Sequence, residues 1–295
     1  MITVAIPNFN GRQFLKECID SVLQQDVPNV EILVCDDAST DDSVTFLKAN
    51  YPQVRVIQNR VNIGAGATRN RLIEQAKGDY IFFLDSDDIL APSALSILSK
   101  MISGNDAVIG KVSSFISGSS QYDNGDRHVY INQAIDELKK RPTIKALSQL
   151  SVAWGRLIST DFLKKNNICF SKQSFMEDAL FCHLFALSNP RIGFVDDVVL
   201  YIREHNASQS ASIDERKIIA MMHVTKEMIA ATKDHPLSLR LSLDGNPIAY
   251  MLYRTRLAYL DVTVSNKRIF SFRDRILIVA KLLKLTRNTS CFKLL

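Results

Sequence analysis

Apolar positions along the first hundred residues switch between two periods. Residues 2–7 (ITVAIP) form a short β-rich run, and residues 12–25 then set Phe14, Leu15, Cys18, Ile19, Val22 and Leu23 at helical spacing before Pro28 stops them. The switch recurs three times: EILVC (31–35) precedes a polar turn and TDDSVTFLKAN, VRVIQ (54–58) precedes ATRNRLIEQAK, and YIFFL (80–84) precedes PSALSILSKM. Four strand-helix units in about 100 residues predict a mostly parallel sheet with helices on its faces. Ligands bind such sheets outside the carboxyl ends of the strands, so PNFNG, DDAST, NRVNIGAG and DSDD should share one rim. The C-terminal third reads as helices over 213–233, 247–262 and 269–286.

The last of those rim turns raises a question of chemistry. Asp85, Asp87 and Asp88 follow an apolar strand, where like charges repel unless a cation joins them. An extended chain sends Asp85 and Asp87 to the same side, and hard oxygen donors of that kind suit Mg²⁺ or Mn²⁺ completed by phosphates and water. Asp36 and Asp37 would face them across a cleft. A solvated acidic turn is the plainer alternative, because Asp is an ordinary turn residue.

Composition narrows the setting. A 295-residue chain with 46% hydrophobic and 23% charged residues can bury a large core, which sets disorder aside. Its five cysteines are scattered without a CxxC pair, as in a reducing compartment. Neither a signal peptide nor an apolar window of about 18 residues is visible, so the expected location is cytoplasmic and the sequons at Asn206 and Asn288 read as chance matches. The net charge of +5 is local: residues 266–295 carry eight Lys or Arg against Asp274 alone. GAGATR lacks the third glycine of a dinucleotide loop and follows the third strand rather than the first, and no GK[ST] phosphate loop is present. Nucleic acid is not an expected partner, since the tail's aromatics are not interleaved as stacking platforms.

IPNFNGRQFLKECIDSVLQQ, EILVCDDASTDDS, VNIGAGATRN and AKGDYIFFLDSDD stand in the order and spacing of the family 2 glycosyltransferases. The chain resembles that family over residues 1 to about 90. The resemblance implies an α/β fold of the GT-A type, a Rossmann-like, mostly parallel central sheet flanked by helices, with a C-terminal helical extension. Residues 1–212 would be the GT-A domain, with a nucleotide-sugar half (1–110) and an acceptor half (111–212), and residues 213–295 the extension. It also implies an inverting, metal-dependent hexosyltransferase. Such an enzyme moves a sugar from a nucleotide-sugar donor, here a UDP-sugar, to a hydroxyl of a glycan or lipid-linked glycan, as in bacterial surface polysaccharide synthesis.

By the same likeness DSDD is the DxD element: Asp87 would bind the metal, Asp85 the ribose or the metal, and Asp37 the base. Pro7, Asn8, Asn10, Asp36, Asn62, Gly64, Arg69 and Ser86 complete the implied donor site, although Asn8, Phe9 and Thr68 depart from the residues more usual there. VVLYIREHNASQS resembles the segment that closes over the diphosphate, which makes Arg203, His205 and Ser208 candidates; His205 is read either as a metal ligand or as a histidine at the surface or behind the ligands. FMEDALF resembles the family's base element, with Asp178 as the base beside Glu177. AWGRLIS resembles the stretch beside the acceptor, so Trp154 is either an acceptor platform or core.

Simpler readings accompany several of these. Ser174 and Glu177 fit a capping box before ALFCHLFAL, so Glu177 is read as a cap or as chemistry, with Asp178 the better base. A helix start would favour the charged form of Asp178. Asp196 and Asp197 read as a turn, and Cys182 beside His183 as buried helix positions without zinc. Sugar nucleotidyltransferases would need a glycine-rich basic loop where PNFNG stands, and a non-catalytic nucleotide-sugar-binding protein would need no base. The basic, apolar end suits either an anionic membrane face, which would make the protein peripheral on the inner side of the cell membrane, or packing on the domain or in a homo-oligomer.

Overall fold

The computed structural model of the chain describes residues 1–143, 146, 147, 150–205 and 215–233. Strand β1 (Ile2–Asn8) lies between β2 (Val30–Asp36) and β4 (Tyr80–Phe83), with β3 (Arg55–Gln58) outside β2, and all four are parallel. Helices α1 (Arg12–Leu23), α2 (Ser43–Asn50) and α3 (Ala65–Gln75) are the crossovers between them. Helices covering both faces explain why β1 and β4 are continuous apolar runs rather than alternating ones.

The fourth unit departs from the simple repeat. A two-residue strand, β5 (Ile89–Leu90), intervenes before α4 (Ala94–Met101). The chain continues through β6 (Ala107–Ile116), α5 (Arg127–Lys140), β7 (Arg156–Ser159), α6 (Thr160–Lys165), α7 (Glu177–Leu187), β8 (Ile192–Glu204) and α8 (Glu215–Lys233). The eight strands form one mixed sheet in the order β3-β2-β1-β4-β7-β6-β8-β5. Strand β7 joins β4 and β6 antiparallel, β6 and β8 are parallel, and β5 is antiparallel to β8.

Asp196 and Asp197 correct the sequence reading, for they lie inside β8 and not in a turn. Ile109 pairs with Phe194 and Lys111 with Val198, so two steps on β6 match four on β8. The extra residues form a bulge, which bends a strand without ending it. Asp196 there meets Lys139 Nζ at 2.6 Å. Past the bulge, Tyr201 pairs with Ile89, directly after Asp88, so the DSDD turn is slung between β4 in mid-sheet and the far end of β8.

One core runs through both halves of the sheet, and a second, smaller cluster joins α7 to α8 through Ala179, Leu180, Ile218, Met221, Met222, Val224 and Met228. Helix α8 is the predicted 213–233 helix; the predicted helices at 247–262 and 269–286 lie outside the described residues, as does the basic end. Among the described residues no helix is long and apolar enough to cross a membrane.

Candidate active site

The first three rim turns are tied to one another by side chains. At the end of β1, Pro7 pairs with Cys35, and buried Asn8 donates to Asp36 Oδ1 at 2.9 Å. Asp36 Oδ2 accepts from the Ser39 N–H, and Asn10 Oδ1 accepts from the Thr40 N–H at 2.8 Å, so the β2–α2 turn is moulded on the β1 turn. Asp37 is buried and collects the Asn59 amide (2.7 Å) and the N–H groups of Ile63 (2.9 Å) and Gly64 (2.8 Å). It therefore shapes the loop carrying exposed Asn62. Asn59 is a site residue that the sequence pattern does not single out, while Phe9, which departs from the residue more usual in the donor site, has 51% of its surface free.

The DSDD turn brings three carboxylates within 4.8 Å of one another. Ser86 Oγ occupies space that a side chain at Gly11 would fill, since a Cβ there would lie 2.8 Å away. Asp88 is buried and accepts from the Arg203 N–H at 2.8 Å; burial, then Asp87 and Asp85, hold its pKa well above the ordinary carboxylate range. Asp85 and Asp87 remain partly open, and His205 Nε2 lies 2.9 Å from Asp87 Oδ2 with its ring on Phe14. His205 is therefore beside the acidic turn, held to Asp87. The donors that lie close together are the three carboxylates Asp85, Asp87 and Asp88, hard oxygen ligands that suit a divalent ion.

Arg203, expected over the diphosphate, lies behind the acidic turn. Its guanidinium is buried between the rings of Phe14 (5.0 Å) and Phe115 (4.6 Å), donating to the Asp87 carbonyl (2.8 Å) and to Glu17 (2.6 Å). It braces the turn from behind. Glu17 went unnoticed in the sequence because it is one more polar position on α1, three residues after Phe14. Ser208 lies outside the described residues.

Opposite the turn stands the start of α7. Arg69, buried on α3, meets Asp85 Oδ1 at 2.7 Å, Glu177 Oε1 at 2.7 Å and Asp178 Oδ1 at 3.4 Å. Its place is thus inside the cleft wall, joining residues 108 and 109 positions away. The capping box is not formed: the N-cap is Met176 in the left-handed region (φ 59°), without a side-chain cap bond, and Glu177 turns to Arg69. Nor does the helix start decide the charge of Asp178. Burial raises its pKa to about 7, with Arg69 pulling it down and Glu177 and Asp85 pushing it up. Of the two readings of Trp154, the structure shows core packing, with only 6% of its surface exposed. Its neighbour Ala153 gives a backbone hydrogen bond to Asp178 instead.

The profile described as Glycosyl transferase family 2 matches residues 3–166, more than half of the chain. The chain belongs to glycosyl transferase family 2. Glycosyltransferase GlyG of Streptococcus pneumoniae serotype 4 is 29% identical to this glycosyltransferase over 224 residues, covering 70% of this chain and 72% of GlyG. The chain spans 14%, 16% and 41% of the length of three further curated relatives. Among solved structures, S. aureus TarS 1-349 in complex with UDP-GlcNAc matches with a TM-score of 0.66 at 19% identity, over 97% of this chain and 80% of that one. The mannosyltransferase PcManGT from Pyrobaculum calidifontis, in complex with GDP-Man and Mn²⁺, matches with a TM-score of 0.56 at 17% identity, over 97% and 86%. Both likenesses support the GT-A-like fold of this family 2 glycosyltransferase.

Proposed function

We propose that this glycosyltransferase moves a sugar from a nucleotide-sugar donor, a UDP-sugar, to a hydroxyl of a glycan or lipid-linked glycan, with inversion at the transferred carbon. Arg69 carries the reading: one guanidinium joins Asp85 of the acidic turn to Glu177 and Asp178 of α7, so the leaving-group end and the acceptor end of one cleft are held in register. The UDP-GlcNAc bound by TarS supports a nucleotide-sugar donor, and the GDP-Man bound by PcManGT makes guanosine diphosphate sugars the second arm of any screen.

Asp178 takes the proton of the attacking hydroxyl from the face opposite the departing diphosphate. A carboxylate poised near 7 is matched to that task, because about half of it is deprotonated at neutral pH and the deprotonated form is basic enough to accept the proton. Asp87 and Asp85 would hold Mn²⁺ or Mg²⁺, with His205 beside Asp87, and a divalent ion there would supply charge stabilisation for the leaving diphosphate. The rims around Asp37 and Phe9 would take the nucleoside. We place the enzyme on the cytoplasmic side, with the basic residues 266–295 toward the inner membrane face where lipid-linked acceptors lie.

A hydrolysis and transfer screen over UDP- and GDP-sugars with Mn²⁺ tests the activity, and Asp178→Asn tests the mechanism. The variant should keep donor binding and lose about 10²-fold or more in turnover, since an amide cannot accept the proton. Full turnover in Asp178→Asn would refute the base; a non-catalytic binding protein would bind donor and turn over none in either form.

A further inference from the structure

Glu177 is a carboxylate of the cleft to which the transfer chemistry gives no task, yet it is built firmly into place. Its stem lies against Gly66 on α3, where a Cβ would fall 2.9 Å from Glu177 Cβ and would collide with the Ser171 carbonyl oxygen. Its own carbonyl accepts from the Ser171 N–H at 3.2 Å. Gly66 and Arg69, three residues apart, share one face of α3, so the glycine makes room for the stem and the arginine receives the head. The Arg69 nitrogen that meets Glu177 at 2.7 Å is the same one that stands 3.4 Å from Asp178. One donor group faces two neighbouring carboxylates and sits with Glu177.

We propose that Glu177 is a positioning residue that preserves Asp178 as a base: by taking the near N–H of Arg69 it keeps the guanidinium from closing on the Asp178 carboxylate. The proposal rests on the assignment of Asp178 as the base. It answers a conflict in the cleft. Arg69 must reach Asp85 Oδ1 at 2.7 Å, which carries it past α7. A full charge-assisted bond from a buried arginine would lower a carboxylate by about 1–3 pKa units and weaken it as a base by the same factor. Glu177 absorbs that bond. The groups facing Asp178 are Arg69 from α3, Asp85 from the β4–β5 turn, Glu177 on its own helix, and the Ala153 backbone from the segment before β7. One turn along α7, Cys182 stands between it and Arg156. Of these, Arg69 is the cation that pulls Asp178 down, so moving Arg69 is the direct way to change it.

The test is a carboxyl titration by ¹³C NMR of the ligand-free, full-length protein labelled at aspartate, with the Asp178 resonance identified by its loss in Asp178→Asn. Wild type should titrate near 7. Glu177→Gln keeps the shape and an acceptor oxygen for Arg69, whereas Glu177→Ala lets Arg69 move onto Asp178. The midpoint should fall by about 1 unit or more in the alanine variant and by less in the glutamine variant. An unchanged midpoint in Glu177→Ala, at an unchanged melting temperature, overturns the proposal. Equal falls in the two variants overturn it as well, because they leave only the loss of a nearby negative charge. If the alanine variant does not fold, Glu177→Leu, which keeps bulk but offers Arg69 no acceptor, takes its place, and an unchanged midpoint there decides against the proposal. Full turnover of Asp178→Asn would remove the base assignment, while the Asp178 midpoint would still report whether Glu177 holds Arg69 away.

Discussion

At Asp178 two elementary effects oppose each other. The helix N-terminus favours a negative charge by a fraction of 1 kcal/mol up to about 2 kcal/mol, while removal from water disfavours it by more. Burial wins, and the pKa stands at about 7 against an ordinary 3.8. A carboxyl whose folded-state pKa is raised stabilises the fold while protonated, below its unfolded pKa, and that contribution is lost as pH climbs through about 7. Asp178→Asn, permanently neutral, should therefore match wild type in melting temperature near pH 4 and exceed it increasingly between pH 5 and 8. The ceiling is about 4 kcal/mol for a shift of about 3 units. A difference that does not grow with pH would show that the carboxylate is solvated. The sequence singles out this residue but not its state, because burial sets that state first and the charges of Arg69 and Asp85, distant along the chain, adjust it. Trp154 was undecidable for a similar reason, since a large aromatic at a segment end serves core and rim equally well until its neighbours are known.

The strand-helix alternation of the first hundred residues was legible because each crossover buries a continuous apolar strand under an amphipathic helix. The later elements were less so: β5 is two residues long, and the Asp196–Asp197 pair looks like a turn when the strand merely bulges. What those irregular elements accomplish is to bring the end of β8 behind the acidic turn. Arg203 there grips the Asp87 carbonyl and Glu17, and its N–H holds Asp88. Arg203→Met would keep apolar contact with Phe14 and Phe115 but drop both side-chain bonds, one of them to a charged partner. If the turn is preformed by this brace, Mn²⁺ affinity measured by calorimetry should weaken about tenfold, the equivalent of about 1.4 kcal/mol, and the Asp87→Ala variant should bind none. Affinity equal to wild type in Arg203→Met would mean that the turn holds its own shape.

Across the whole molecule, Arg69 is the charge that lets the two ends of the cleft coexist. It sits on α3 and faces Asp85 from one turn and Glu177 and Asp178 from a helix about a hundred residues further on. Three carboxylates around one buried guanidinium leave the cluster net negative even with it in place. Without it, removal of the shared partner from buried ion pairs costs on the order of 3–5 kcal/mol, and the carboxylates must protonate or separate. Arg69→Met keeps the stem's length and apolar packing, so the loss it reports is chiefly that of the charge. With the cation gone, Asp178, which it pulls down in the native protein, rises further, and a raised carboxyl loses its stabilising protonated form as pH increases. The variant should accordingly melt well below wild type at pH 8 and recover most of the gap near pH 5, and millimolar Mn²⁺ at pH 8 should recover part of it by supplying the missing positive charge. Melting curves of both proteins over that pH range check this. A deficit in Arg69→Met that is the same at pH 5 and pH 8 would show that Arg69 matters for packing rather than for holding three negative charges together.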